Sequence, residues 1–484
     1  MHVDSGAPAK NPVVILVALG FSSLSVSLMQ SLVIPIQSEL PRLLGTSASN
    51  ASWVVTATLL GGAVAMPVAG RLADLAGKKP VLAVSALVLL AGSLICALSG
   101  SLLPVLAGRV LQGLAMGYIP VAISFVREVV PKHLVNTATA SISATLGVGG
   151  ALGLPLAAWI AQDNDWHWLF WVATALAVAV ALLTVLVLPH VHDAHGARLD
   201  VIGAVGLAVG LVSILVGVTK GNDWGWTAGS TLGLVLGGIV VLLAWGLFEL
   251  RHDAPLVDLR TTARRPVLLT NIAAALIGFG LMAQAIVVPQ LLQMPAATGY
   301  GLGQSLLAAG LWMAPSGLMM LLFAPVSSFL ITRFGGRTAL SLGAAVLALG
   351  YVSGAVLMDA PWQLLLATCI ASAGVGIGYA AMPTLVLENV PANEAAAGVA
   401  FNALMRSIGT TVAGAVMAVV LTSRTTVLAP GAPEIPTVDA FRLCFVVGAV
   451  AAAIGAAVVL FIPRRKPAEP EPAVTAADEA VPVR

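Results

Sequence analysis

Arg109 stands inside a run of apolar residues long enough to cross a bilayer, with Gln112 one helical turn further on and Gly113 beside it. Counting about 1.5 Å per residue from the start of that run puts the guanidinium about 10 Å below the membrane surface. A cation at that depth is costly unless it is paired or faces a wet cavity. Gln112 shares its helix face. Two roles are open to Arg109, a structural arginine that snorkels and a charge that takes part in a transport cycle. The acids are placed differently. Glu39, Glu128, Glu249 and Glu388 fall near the ends of apolar runs, and none lies deep in one. Cys96, Cys369 and Cys444 lie inside apolar runs far apart and read as small core residues, not as a disulfide framework or a metal site. No nucleophile–base pair and no G-x-x-x-x-G-K-[ST] phosphate loop is apparent, so an enzyme and an ATP-driven pump are disfavoured. No cofactor and no metal are expected.

The elements that must position these residues follow from composition. The chain has 484 residues, 59% hydrophobic and 9% charged, whereas a soluble domain carries roughly 25% charged residues. That composition predicts an all-α polytopic membrane protein, because lipid solvates the apolar surface and helices satisfy their own backbone groups. The net charge of +2 gives no basis for nucleic-acid binding. Spans are expected near 12–34, 51–71, 80–99, 102–124, 137–160, 167–188, 200–218, 229–249, 266–290, 304–329, 338–357, 362–387, 396–422 and 440–462. The first has no cleavage pattern after it and reads as a retained helix. Of 23 Lys and Arg, 17 fall on one side, 4 (Arg42, Lys220, Arg424, Arg442) in loops of the other, and Arg109 and Arg406 within spans. The positive-inside rule then puts both termini in the cytoplasm, residues 1–11 and the Pro-, Ala- and Glu-rich tail 463–484 included. The tail reads as disordered.

Between the second and third spans lies Gly70-Arg-Leu-Ala-Asp74-Leu-Ala-Gly77-Lys78-Lys79. Its glycines allow a tight reversal, and Asp74, Lys78 and Lys79 are expected at the water interface. Pro325-Val-Ser-Ser328-Phe-Leu330-Ile-Thr332-Arg333-Phe-Gly335-Gly-Arg337 echoes Pro67–Lys79 at a constant offset of 258 residues. Two halves in one orientation follow: a six-helix bundle over 12–188, a pair of inserted helices with linkers over 189–265, and a second six-helix bundle over 266–462.

The glycine-punctuated loop resembles the loop between helices 2 and 3 of the major facilitator superfamily of secondary transporters. Arg109-x-x-Gln112-Gly113 resembles the helix 4 motif of its drug–proton antiporters. Gly149-x-x-x-Gly153-Leu-Pro155 resembles their helix 5 motif, with Leu154 inserted, and makes Gly149, Gly153 and Pro155 either a hinge or a close-packing seam. Trp53, Asp165–Phe170, Asp200-x-x-Gly203, Glu249-x-Arg251-x-x-x-Pro255 and Asn402-x-x-x-Arg406-x-x-Gly409 extend the resemblance to the fourteen-helix drug–proton antiporter family over residues 12–462. One departure stands out. Many members carry an Asp in helix 1, nine residues before the proline matching Pro35, and here that position is Val26.

The resemblance implies two parallel six-helix bundles with two extra central helices, and a substrate site near the midplane. Candidate polar lining groups are Gln30, Gln284, Asn402 and Arg406. Candidate apolar ones are Met282, Trp312, Met313, Met320, Tyr379, Met382 and Met405, each of which packing alone would also explain. Gln30 and Ser31 lie at the depth of Arg109 and are expected to hydrogen-bond it, with Glu39 the acid nearest that layer. The function implied is export of small amphipathic or lipophilic compounds in exchange for protons. Another solute or lipid transporter, a uniporter without proton coupling, or a non-transporting scaffold are the alternatives. The expected partners are a small-molecule substrate, the lipid bilayer and protons, with the chain a monomer.

Overall fold

The computed structural model describes residues 11–34, 36–37, 39–191, 199–427 and 434–463. The tail beyond Pro463, Pro35 and Arg198 lie outside the described residues. Sixteen long helices run through them: α1 Pro12–Ser31, α2 Trp53–Ala76, α3 Lys78–Leu98, α4 Leu102–Leu114, α5 Tyr118–Val129, α6 Val135–Asp163, α7 His167–Leu186, α8 Val201–Trp224, α9 Gly229–Glu249, α10 Arg265–Gln293, α11 Leu306–Leu322, α12 Ala324–Phe334, α13 Gly336–Val356, α14 Pro361–Asn389, α15 Ala395–Ser423 and α16 Val438–Leu460. They make fourteen spans long and apolar enough to cross a bilayer, and each expected span overlaps one of them. Both ends of the described chain therefore lie on one face, the terminal face; the opposite one is the distal face.

Two spans are broken where proline dictates it. The fourth is α4 and α5 joined by a 3-10 turn at Ala115–Gly117. Pro120 has no N–H to give the Met116 carbonyl, and its ring crowds that turn. The tenth splits at Phe323, just ahead of Pro325. By contrast α6 runs unbroken past Pro155.

Within the first bundle α1 packs on α6, α3 on α7 and α2 on α4. The second bundle repeats this: α10 on α15, α13 on α16 and α11 on α14. Each has its own apolar core, and each lends residues to the other's. Ala395, Ala396 and Val399 of α15 join the first core; Ala140 and Ala144 of α6 join the second. The bundles meet along α2 with α15 and along α6 with α11 and α12. The repeat is visible in the backbone. Gly77 (φ 93°, ψ 150°) and Gly335 (φ 84°, ψ 158°) adopt the same left-handed turn, one that only glycine takes cheaply. Their N–H groups close the preceding helices on Ala73 O (3.1 Å) and Ile331 O (2.9 Å), again 258 residues apart.

The inserted α8 leans on both α2 and α15, astride the seam between the bundles, while α9 packs on α8 and exposes most of its surface. Lys220 belongs to α8 and not to a loop. It is 1% exposed, and its ammonium donates to Ser49 O (3.0 Å), Ser52 Oγ and Asp223 Oδ2 (3.2 Å) beside the Trp53 ring. Arg442, also expected in a loop, lies near the start of α16, paired with Asp439. On the distal side Thr425–Thr426 and Ile435–Pro436 form a short antiparallel ribbon, Thr425 opposite Pro436.

Candidate functional site

Asp74 ends α2 at the terminal face. Its two carboxylate oxygens accept the backbone N–H groups of Ala396 (3.0 Å) and Ala397 (2.8 Å) in the first turn of α15. Those N–H groups have no partner within their own helix, and the helix dipole adds to their pull on an anion. Gly70, one turn earlier, brings the helices together: a Cβ there would stand 2.7 Å from Ala396 O. Asp74 is 4% exposed and Lys78 6%, so the interface position expected from the sequence does not hold. Both are buried because each has a partner. Lys78 pairs with Glu128 at the end of α5, and Lys79 Nζ donates to Leu188 O (2.6 Å).

The second copy of the loop makes the matching contact to the first bundle. Thr332, 258 residues after Asp74, accepts from Asn136 Nδ2 (3.3 Å), and the hydroxyls of Ser328 and Thr137 lie 2.9 Å apart. This contact is neutral and its hydroxyl at Thr332 is exposed, whereas the Asp74 contact is charged and buried. Arg127 Nη1 adds a bond to Leu387 O (2.8 Å). All these bonds between the bundles lie at the terminal face. Toward the distal face the bundles touch through small apolar surfaces, such as Gly310 of α11 against Pro155 of α6.

Arg109 is 2% exposed. Its Nε donates to Val54 O (3.0 Å) at the start of α2, and Nη1 to Gln112 Oε1 (2.7 Å); Gln112 Nε2 donates in turn to Ser93 Oγ (2.9 Å) on α3. The guanidinium thus ties α4 to α2 directly and to α3 through Gln112. Gly113 lies against Gly61 of α2. Gln30 and Ser31 are not the partners expected for Arg109. Ser31 faces Gly153 instead, where a Cβ would stand 2.8 Å from its Cβ, and Ser27 faces Gly149 in the same way (2.6 Å). That seam lets α1 lie directly on α6. Glu39 is exposed at the distal face, paired with Arg42 (3.0 Å), because the chain leaves α1 after Ser31 and carries it away from the arginine.

Of the lining candidates, the second bundle gathers three polar contacts. The Arg406 guanidinium sits over the Tyr379 ring at 4.7 Å. Asn402 Nδ2 donates to Asn271 Oδ1 (2.9 Å) and Gln284 Nε2 to Ser372 Oγ (3.3 Å). Asn271 Nδ2 and Gln284 Oε1 are buried without partners, leaving one donor and one acceptor unspent. Met313, Met320 and Met382 are buried, Met320 beside Gly147 across the seam between the bundles. Trp312 is half-buried and donates to Gln304 Oε1 (3.3 Å); Gln30 is half-buried in the first bundle, and no contact brings it to the others. Sequence reasoning missed Asn271, Ser372, Arg127 and the Thr137–Ser328 pair. The last was within reach, since the offset of 258 carries Ala395, at the start of α15, back to Thr137.

The Major Facilitator Superfamily pattern matches residues 19–414, and again 270–483. An uncharacterised MFS-type transporter of Mycobacterium tuberculosis is 28% identical over 449 residues, which are 90% of this chain and 64% of that protein; the chain therefore spans about two thirds of that relative's length. A multidrug resistance protein B homolog of the same species is 28% identical over 392 residues, 78% of this chain and 70% of that one. The crystal structure of the human organic anion transporter MFSD10 superposes with a TM-score of 0.67 at 14% identity, over 94% of this chain and all of that one, a likeness of fold. The repeated loop, the paired bundles and these matches agree: the chain, with fourteen membrane-length helices among its described residues, belongs to the major facilitator superfamily.

Proposed function

We propose that the chain is a secondary active exporter of small amphipathic or lipophilic compounds, exchanging them for protons across the cytoplasmic membrane with both termini in the cytoplasm. The observation that carries the reading is the Asp74 contact: a charged latch between the bundles, made, among the described residues, at the terminal face. Alternating access needs bonds of this kind, strong enough to hold one face shut and few enough to release. The bundles over 12–188 and 266–462 are then the two bodies that rock. Support for an amphipathic substrate comes from the second bundle's content: Met313, Met320, Met382 and Tyr379 in its core, which adapt to varied shapes, and the unspent donor and acceptor of Asn271 and Gln284. The multidrug resistance homolog supports export. The lysine and arginine asymmetry supports a cytoplasmic terminal face.

Val26 favours a second reading, a facilitator without proton coupling, because helix 1 lacks the acid that the antiporter resemblance leads one to expect. The test is accumulation of a panel of lipophilic dyes in an efflux-deficient bacterial host. Expression should lower accumulation, and a protonophore should abolish the difference. A change only in the rate at which the dye equilibrates, unaltered by the protonophore, favours the facilitator. No difference for any dye sinks the export reading.

A further inference from the structure

Asp200 and Glu249 bracket the inserted pair at the terminal face, Asp200 just ahead of α8 and Glu249 at the last residue of α9. They are 6% and 2% exposed. One oxygen of each is spent on the backbone: Asp200 Oδ1 accepts from Gly203 N–H (2.8 Å) and Glu249 Oε2 from Leu256 N–H (3.0 Å). The other two, Asp200 Oδ2 and Glu249 Oε1, are buried without a hydrogen-bond partner. Both border the point where a Cβ on residue 203 would stand, so they face one another across Gly203, and any larger residue there would collide with both carboxylates. The Trp245 indole N–H, which makes no hydrogen bond of its own, and the Val257 N–H are the other polar groups beside Glu249.

No cation among the described residues reaches the pair. On the linker Arg251, His252 and Asp253 are exposed, and Arg260 donates to Leu250 O. Asp258 is spent capping residues 260 and 261. Arg71 of α2 and Glu394 ahead of α15 line a separate small cavity with Asp258, and Asp74 is held by Ala396 and Ala397. Two carboxylates that share a buried site cannot both be ionised without a counter-charge.

We propose that Asp200 and Glu249 are a proton-binding site, holding one proton between Oδ2 and Oε1. Binding takes the pair from two negative charges to one and fills both orphaned oxygens with a single O–H···O bond. The site is tied to the latch. Glu249 holds the N–H of Leu256; Leu256 and Val257 line a cavity of about 20 Å³, enough for one water, together with Arg71 and Ala397, and the Ala397 N–H is the one that holds Asp74. Loss of the proton pushes the carboxylates apart, and Glu249 carries the linker with it against the latch. As a coupling site the pair rests on the antiport reading; as a proton site it does not.

Infrared spectroscopy of the full-length protein in lipid nanodiscs separates the two. Near neutral pH the wild type should show a protonated-carboxyl C=O stretch that disappears on alkaline titration. Asp200→Asn and Glu249→Gln should each lack it, and Trp245→Phe should keep it at a shifted frequency. In proteoliposomes Glu249→Gln should lose gradient-driven flux at least tenfold while substrate counterflow without a gradient persists. The proton site is overturned if the wild type shows no such band, if the band survives in both carboxyl variants, or if sodium or calcium at fixed pH abolishes it. If the band behaves as expected and wild-type flux ignores the gradient, the site stands and the antiport reading falls.

Discussion

Asp74 and Ala397 stand 323 residues apart in the chain and 2.8 Å apart in space. The carboxylate closes α2 of one bundle onto the first turn of α15 in the other. Its counterpart by the internal repeat, Thr332, makes only a neutral bond to Asn136. The two seams between the bundles are therefore alike in geometry and unlike in strength.

Asp74→Asn keeps the size of the side chain and removes the charge that the helix N-terminus attracts. A carboxylate at such a site is worth about 0.3–2 kcal/mol, which moves the ratio of the two access states by about two- to thirtyfold. The expected result is reduced transport with normal membrane insertion, and faster labelling of a cysteine placed at Val399, which is buried in the seam at the terminal face. Unchanged transport removes Asp74 from the cycle.

Thr332→Asp tests the same idea in the opposite direction. It sets a carboxylate beside the start of α6, and should hold the terminal face shut by a similar increment. Turnover should slow while binding of substrate at the distal face is retained. Faster turnover would mean that the second seam does not gate.

Much of this was legible before the structure. The fourteen spans follow from runs of about 20 apolar residues, because the bilayer sets the length and leaves little else to decide. The offset between Pro67–Lys79 and Pro325–Arg337 reappears in the turns at Gly77 and Gly335. What sequence could not supply was partners. Gln30, Ser31 and Arg109 share a depth, yet depth says nothing of azimuth, and the helix starting at Leu102 turns its arginine toward Val54. Lys220 looked like a loop residue because charge is rare in a span. It can lie buried in α8 because Ser49, Ser52 and Asp223 accept hydrogen bonds from its ammonium. Asp200 and Glu249 were legible as parts of two motifs flanking the inserted spans, and not as a pair, since nothing in a sequence tells which span ends are covered together.

Arg109→Lys should be poorly active, because an ammonium cannot reproduce the fork that reaches Val54 O and Gln112 Oε1 together. Gln112→Leu leaves a buried guanidinium N–H without its acceptor and should cost about 1–3 kcal/mol of stability. Arg109→Ala should abolish gradient-driven transport. Thermal unfolding in detergent and flux in proteoliposomes read these out, and normal flux by Arg109→Ala contradicts the assignment.

Gly92→Ala should be destabilising by about 1–3 kcal/mol, since the added Cβ would stand 2.6 Å from Gly108 O and 2.9 Å from Gln112 N, both backbone atoms of α4. Gly233→Ala, on the open face of α9 with nothing within 4 Å, should be neutral or stabilising by up to about 1 kcal/mol. The comparison is a pair of melting curves in one detergent. Equal melting temperatures would contradict the close packing of α3 on α4.

The most direct test of the whole account is flux of a lipophilic cationic dye in proteoliposomes holding the purified wild type, with and without an imposed pH gradient. The account predicts dye accumulation against its own concentration gradient when protons run the other way, and its collapse when a protonophore dissipates the gradient. Dye movement that only ever runs downhill, at a rate indifferent to pH on either side, would contradict it.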